Sequence, residues 1–278
     1  MKTAEKTRDI GLDLTRIIAF LSVASVHFFL HSGFYYAPIA GKRMMLMVVL
    51  RTACMVCVPL FLILTGYLSS GREIALTGRG LRGFYSKLTR VVFIYVLSSA
   101  LILCFRRYVL REAVTVSGGL FSILGYEHYS WYVEMYLGLY LLVPFLNAMW
   151  RAMGERRSRR ALVIVLAVLT ALPSLLNGFD FRTPGALARP WRSSGYNKLI
   201  PGWWTALYPL TYYFIGAYIR SDVQIKALKT RYLALALFCA LAASRLICVS
   251  RARRWASLPA TCAFSRLISM LFISDAVS

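Results

Sequence analysis

Acidic residues and histidines are scarce in this chain. Its 278 residues include only 11 aspartates and glutamates and 3 histidines, against 33 lysines and arginines. His27 and His31 have the spacing of two metal ligands on one helix face, but no acidic cluster accompanies them, so we expect no metal site. Charged residues make up only 16% of the chain, and no polar stretch is long enough to form a soluble domain.

A disulfide framework is also not expected. Most of the 6 cysteines lie inside apolar runs, where a thiol behaves as a small hydrophobic group. Cys54 and Cys57 have the spacing of a redox motif, but they lie in the middle of an apolar run without the strand–helix context of such a motif. We interpret them as packing residues.

Long apolar runs dominate what is present. Hydrophobic residues make up 59% of the chain and the mean hydropathy is +0.61. Runs of about twenty apolar residues recur along the whole length, which predicts an all-α, polytopic transmembrane helical bundle with seven to eight spans. The clearer spans cover about 12–34, 44–69, 88–107, 130–149, 161–179, 203–220 and 231–249, and a weaker one covers 255–277. We treat residues 1–278 as a single membrane domain.

The net charge of +22 points to the membrane surface and not to nucleic acid, because the basic residues cluster at the ends of the apolar runs. Lysine and arginine are more numerous in the loops on the side of the N-terminus. This bias predicts a multi-pass protein of the cytoplasmic membrane with its N-terminus inside, and with an uncleaved first span because Asp13 and Arg16 interrupt the initial apolar run.

Ionisable residues inside spans are costly and are therefore candidates for a functional site. Arg16 and His27 are eleven residues apart, which puts them on one helix face and roughly 16 Å apart along the axis. Arg16 lies near the cytoplasmic face with Lys87 and Arg90, and Asp13 is its expected ion-pair partner at i,i−3. These residues form a predicted inner, basic layer.

The predicted outer layer contains His27, Glu134 and Arg51, which supply a base, a carboxylate to orient it and a cation. A base oriented by a carboxylate is what acyl transfer to a hydroxyl requires. The distance between the layers is comparable to the reach of a pantetheine arm. An acyl-CoA could therefore lay its phosphates on the basic layer and bring its thioester to His27, with Arg51 as a further substrate-binding residue.

Each of these residues also has a structural interpretation. Lys87 and Arg90 could be ordinary flanking charges of a span. Arg51 could extend its charge to the membrane surface or pair with Glu134. His27 could be a hydrogen-bond donor between helices.

The stretch GLDLTRIIAFLSVASVHFF (Gly11–Phe29) resembles the opening signature of the acyltransferase-3 family, in which a basic residue and a histidine stand where Arg16 and His27 stand here. Four further stretches are similar to other parts of family members. VPLFLILTGYLSSG (Val58–Gly71) contains the expected Thr-Gly-Tyr, YSKLTRVVFIYV (Tyr85–Val96) opens the third span with a basic pair, and His128–Asn147 and Pro201–Ile219 look like stretches of Gram-positive members.

The resemblance implies an enzyme that takes an acyl group, expected to be acetyl, from cytoplasmic acyl-CoA and delivers it to a hydroxyl of an extracytoplasmic glycan. It implies that His27 is catalytic and that the basic residues bind the donor, with no cofactor apart from acyl-CoA as co-substrate.

The resembling motifs cover about residues 11–231, whereas residues 245–278 are rich in arginine and serine and look atypical of the family. Family members usually have more spans, so a truncated or frame-shifted end is a hypothesis. The competing functions are a membrane transporter, disfavoured because no inverted repeat is visible, and a non-catalytic membrane sensor, disfavoured because no second domain is present.

Overall fold

The computed structural model describes residues 9–37, 41–113, 115, 118–119, 131–177 and 199–223, and the regular structure in these residues is entirely helical. The predicted all-α class is therefore confirmed for the described chain. The α-helices are α1 (Ile10–His31), α2 (Gly41–Cys54), α3 (Cys57–Ser69), α4 (Gly78–Tyr85), α5 (Leu88–Tyr108), α6 (Trp131–Ala152), α7 (Arg156–Leu176) and α8 (Tyr208–Asp222). Short 3-10 helices cover Phe34–Tyr36 and Gly202–Leu207.

Four helical segments are long and apolar enough to cross a membrane, namely Ile10–His31, Gly41–Ser69, Gly78–Tyr108 and Trp131–Ala152. They support a multi-pass membrane protein. The predicted spans at 231–249 and 255–277 lie outside the described residues, so the total of seven to eight spans stays a prediction.

Helix α1 begins and ends at residues that satisfy its terminal backbone groups. The Asp9 carboxylate accepts hydrogen bonds from the backbone N–H groups of Gly11 and Leu12, at 2.9 and 3.3 Å. Gly33 follows the helix with a φ of 70°, a left-handed conformation that glycine adopts at low cost. The first span is therefore one unbroken helix that carries both Arg16 and His27.

The predicted second span, by contrast, is divided into α2 and α3. Pro59 has no N–H to donate to the carbonyl of Met55, four residues earlier, and its ring would clash with that carbonyl in a continuous helix. Met55 and Val56 instead donate to carbonyls three residues back, at 3.3 Å each. The division between the helices thus follows from one proline inside an otherwise apolar run.

The helices form two compact units, of which the first contains Met1–Leu68 and Arg156–Ser278. Inside it, α3 and α8 approach each other at two glycines, because a Cβ at Gly66 would lie 2.8 Å from the Tyr213 carbonyl carbon and one at Gly216 would lie 2.8 Å from the Tyr67 nitrogen. The Arg220 guanidinium donates to the Tyr67 carbonyl at 2.9 Å, which satisfies a free acceptor near the end of α3.

The second unit contains Ser69–Glu155, and in it α6 holds both the end of α3 and the α4–α5 segment. The fully buried Asn147 donates to the carbonyls of Ser69 and Arg72, at 2.8 and 3.3 Å. The Phe84 ring stacks on the Tyr140 ring with 4.5 Å between centroids. These contacts fix the segment from which Lys87 and Arg90 project.

Candidate active site

Arg16 and His27 lie on the same helix, α1, with a separation of roughly 16 Å along its axis from the 1.5 Å rise per residue. The buried residues of α1 are Ala19 and Ser22, whereas Arg16 and His27 are exposed. Neither ionisable side chain is therefore buried by packing within the described part of the first unit.

Asp13 and Arg16 form the ion pair that their spacing predicted. The Arg16 Nη1 lies 2.7 Å from the Asp13 Oδ1, one helical turn away. Asp13 is the more buried partner, with 23% of its side chain exposed against 49% for Arg16. The carboxylate thus orients the guanidinium, which has five N–H donors in total. That these residues bind the donor stays a prediction.

The His27 ring is parallel to the His31 ring, with 6.3 Å between centroids and 14° between planes. Within the first unit, no described residue forms a hydrogen bond with the His27 ring. The alternative that His27 is a structural hydrogen-bond donor therefore has no support in that part of the chain. The described residues contain no cluster of three histidine, cysteine or acidic side chains suited to a metal ion.

Arg51 is buried, with 4% of its surface exposed, so it does not extend its charge to the membrane surface. Its Nε donates to the Tyr35 hydroxyl at 3.2 Å, and the guanidinium carbon lies 5.6 Å from the Tyr35 ring centroid. A buried guanidinium is costly without partners, and Tyr35 is one of them. Arg51 joins α2 to the segment that follows α1, and its predicted contact with substrate is untested.

Glu134 lies in the first turn of α6 and is half-buried. The Tyr95 hydroxyl, from α5, donates to its Oε1 at 2.9 Å. The positive end of the α6 helix dipole also favours a carboxylate at this position. Sequence reasoning missed Tyr95, although a tyrosine inside an apolar helix usually needs a partner for its hydroxyl.

Lys87 and Arg90 lie at the junction of α4 and α5, Lys87 just before α5 and Arg90 in its first turn. Both are exposed, and no described carboxylate of the second unit forms an ion pair with either. Cations at the start of a helix are opposed by its dipole, so an anionic ligand would stabilise them there. Their exposure is equally compatible with ordinary flanking charge.

The seven predicted site residues divide between the two units. The first unit contains Asp13, Arg16, His27 and Arg51, and the second contains Lys87, Arg90 and Glu134. A joint role for His27 with Glu134, or for Arg16 with Lys87 and Arg90, therefore stays a prediction.

Comparison with known protein families identifies the family of this chain. A family model for an acyltransferase domain, that of the acyltransferase-3 family, matches residues 9–277. This chain belongs to the acyltransferase-3 family. The match begins at Asp9, the residue that caps α1, and continues beyond Arg231, where the resembling motifs end.

Membership identifies the protein as an acyltransferase and confirms the predicted enzyme class. Together with the apolar helices, it makes this acyltransferase-3 protein a multi-pass membrane enzyme and disfavours a transporter. No curated protein and no solved structure gives a significant match to the chain.

Proposed function

We propose that this acyltransferase moves an acyl group, expected to be acetyl, from cytoplasmic acyl-CoA to a hydroxyl of an extracytoplasmic glycan or cell-wall sugar. The observation that carries the proposal is the pair of exposed ionisable residues, Arg16 and His27, on one unbroken apolar helix of an acyltransferase-3 protein. Such residues are rare in spans and serve function or find a partner.

The donor side of the proposal rests on the basic residues. Arg16, oriented by Asp13, offers N–H donors to the CoA phosphates. Lys87, just before α5, and Arg90, in its first turn, are exposed cations that could do the same. The roughly 16 Å from Arg16 to His27 is comparable to the length of a pantetheine arm. The thioester would then lie near His27 with the phosphates still at the cytoplasmic face of a protein whose N-terminus is inside.

At His27 the reaction needs a proton acceptor. The imidazole takes the proton of the acceptor hydroxyl, the oxygen attacks the thioester carbonyl, and CoA leaves as the thiol after it receives that proton. In the alternative route, the imidazole itself attacks the thioester and carries the acyl group to the sugar. A carboxylate such as Glu134 would stabilise the imidazolium of the first route.

The test compares His27→Ala with His31→Ala, since the second histidine lies one turn away on the same exposed face. We expect His27→Ala to lower transfer by at least about 10²–10⁴-fold, the contribution of a general base, and His31→Ala to retain it. The measurement is the amount of ester-linked acyl group on surface glycans, by mass spectrometry, in cells with equal amounts of inserted protein. Full acylation with His27→Ala would refute the mechanism.

The two routes differ in the absence of acceptor. Purified enzyme mixed with acyl-labelled CoA should release one CoA and retain one label per molecule if His27 carries the acyl group. A base mechanism predicts neither CoA release nor retained label until acceptor is added.

A further inference from the structure

Helix α4 carries two arginines that the proposed reaction does not use. Arg79 and Arg82 are three residues apart, so they share one face of the helix, and both are exposed. The opposite face contains the buried Phe84. In the described part of the second unit, no carboxylate forms an ion pair with either arginine. The helix is therefore strongly amphipathic, with an unneutralised basic face.

The length of α5 places α4 at the level of the lipid headgroups. The 21 residues of α5 span about 31 Å at 1.5 Å per residue, which matches a hydrocarbon core of about 30 Å. If α5 is the part of the Gly78–Tyr108 segment that fills the hydrocarbon core, then α4, directly before Leu88, lies outside it. With the N-terminus inside, α4 lies at the cytoplasmic surface, where basic residues meet anionic lipids.

A depression of about 340 Å³ adjoins the same segment and is lined by Tyr85, Leu88, Thr89, Val92 and Phe93. Arg82, Tyr85 and Thr89 are three and four residues apart, which puts them on one helix face if the turn between α4 and α5 preserves the helical rotation. The turn does preserve it, because Ser86 and Lys87, between the two helices, both have right-handed helical backbone angles. The mainly apolar depression thus begins about one turn from Arg82, toward the hydrocarbon.

The walls of this depression are fixed by α6. The Tyr85 hydroxyl donates to the Leu141 carbonyl at 2.8 Å, and the stacked Phe84 and Tyr140 rings hold the apolar face of α4. A ligand that binds here does not have to order the segment first, which lowers the entropic cost of binding.

We infer that Arg79 and Arg82, together with the depression along α5, bind an anionic phospholipid. Its headgroup contacts the two guanidinium groups, and one of its acyl chains follows Tyr85, Thr89 and Phe93 toward the middle of the bilayer. Charge complementarity selects the headgroup and the adjoining apolar surface requires a chain, so a free phosphate satisfies only half of the site.

The test measures lipid binding to the purified full-length protein by native mass spectrometry, with phosphatidylglycerol and phosphatidylcholine of the same chain length. We expect wild-type protein to prefer phosphatidylglycerol by about 25-fold, from roughly a factor of five for each of the two cations near an anionic surface. The double variant Arg79→Gln/Arg82→Gln should lose this preference. Arg156→Gln/Arg157→Gln removes the same charge from exposed positions of α7 and should leave it unchanged.

A second variant pair tests the apolar half of the site. Val92→Trp should fill the depression and weaken the binding of both lipids, whereas Ile102→Trp, on the exposed surface of the same helix, should not. Equal binding of the two lipids by wild-type protein, which needs no variant, would overturn the inference. Displacement of phosphatidylglycerol by acetyl-CoA would also overturn it, because Arg79 and Arg82 would then belong to the donor site.

Discussion

Replacement of Gly66 by alanine should destabilise the enzyme, because this glycine of the Thr-Gly-Tyr motif is where α3 approaches α8. An added Cβ would lie 2.8 Å from the Tyr213 carbonyl carbon and 3.0 Å from its Cα, whereas ordinary contacts begin at 3.4 Å. The Tyr213 carbonyl oxygen lies closer still to the added Cβ, so at least one helix must move by more than about 0.6 Å. The obstacle is backbone, which cannot rotate away, so the cost lies near the upper end of overpacking, about 3 kcal/mol.

Alanine also has a higher helix propensity than glycine, and this difference offsets about 1 kcal/mol of the overpacking cost. The net loss in the free energy of unfolding is then about 2 kcal/mol, or about 4–8 °C in the unfolding temperature. The assay is thermal unfolding of the detergent-purified protein, followed by size-exclusion chromatography, with acyl transfer measured per folded molecule.

Gly138→Ala is the matched control. Gly138 also lies within a helix, α6, but a Cβ there would meet nothing within 4 Å, so we expect no loss of stability. An unfolding temperature of Gly66→Ala equal to that of wild type would refute the close approach of α3 and α8. Normal stability with reduced transfer per folded molecule would instead make Gly66 a functional residue.

Two further predictions concern the site. Arg16→Ala and Arg90→Ala should each weaken acyl-CoA binding by roughly 10- to 150-fold, which is the value of a hydrogen bond to a charged group. The control Arg156→Ala should leave the affinity unchanged. If the two variants bind acyl-CoA as tightly as wild type in a detergent binding assay, both residues are determinants of topology instead. Glu134→Gln should lower turnover without lowering the amount of inserted protein. Tyr95→Phe removes the hydroxyl that donates to the Glu134 Oε1 and should lower turnover by a smaller factor. If either variant instead loses protein from the membrane, the two residues form a structural pair.

The sequence predicted the features that depend on local spacing. The spacing of three residues between Asp13 and Arg16 correctly predicted their ion pair, and the length of the first apolar run correctly predicted that α1 is one helix. The break between α2 and α3 could also have been predicted from Pro59, but the continuous hydropathy of the run concealed it.

Contacts between distant residues were not predictable in the same way. The hydrogen bonds of Arg51 with Tyr35 and of Glu134 with Tyr95 join residues that are 16 and 39 positions apart. A single sequence reports which side chains need partners, but not which of several tyrosines the packing of helices will bring near. The sequence therefore identified both charged residues, while their partners emerged only from the structure.

Burial separates the signature residues of this acyltransferase into two kinds. Gly66 is buried where two helices meet, and Arg220 satisfies the carbonyl of the neighbouring Tyr67, so packing explains that part of the motif. Arg16 and His27 lie exposed on an apolar helix, where an arginine at the bilayer centre costs about 2.5–3.5 kcal/mol on insertion scales and less toward the interface. Because burial among the described residues does not offset this cost, we propose that both residues act in binding and chemistry. This difference leads us to expect opposite phenotypes: loss of folded protein for Gly66→Ala, and loss of turnover with folded protein intact for His27→Ala.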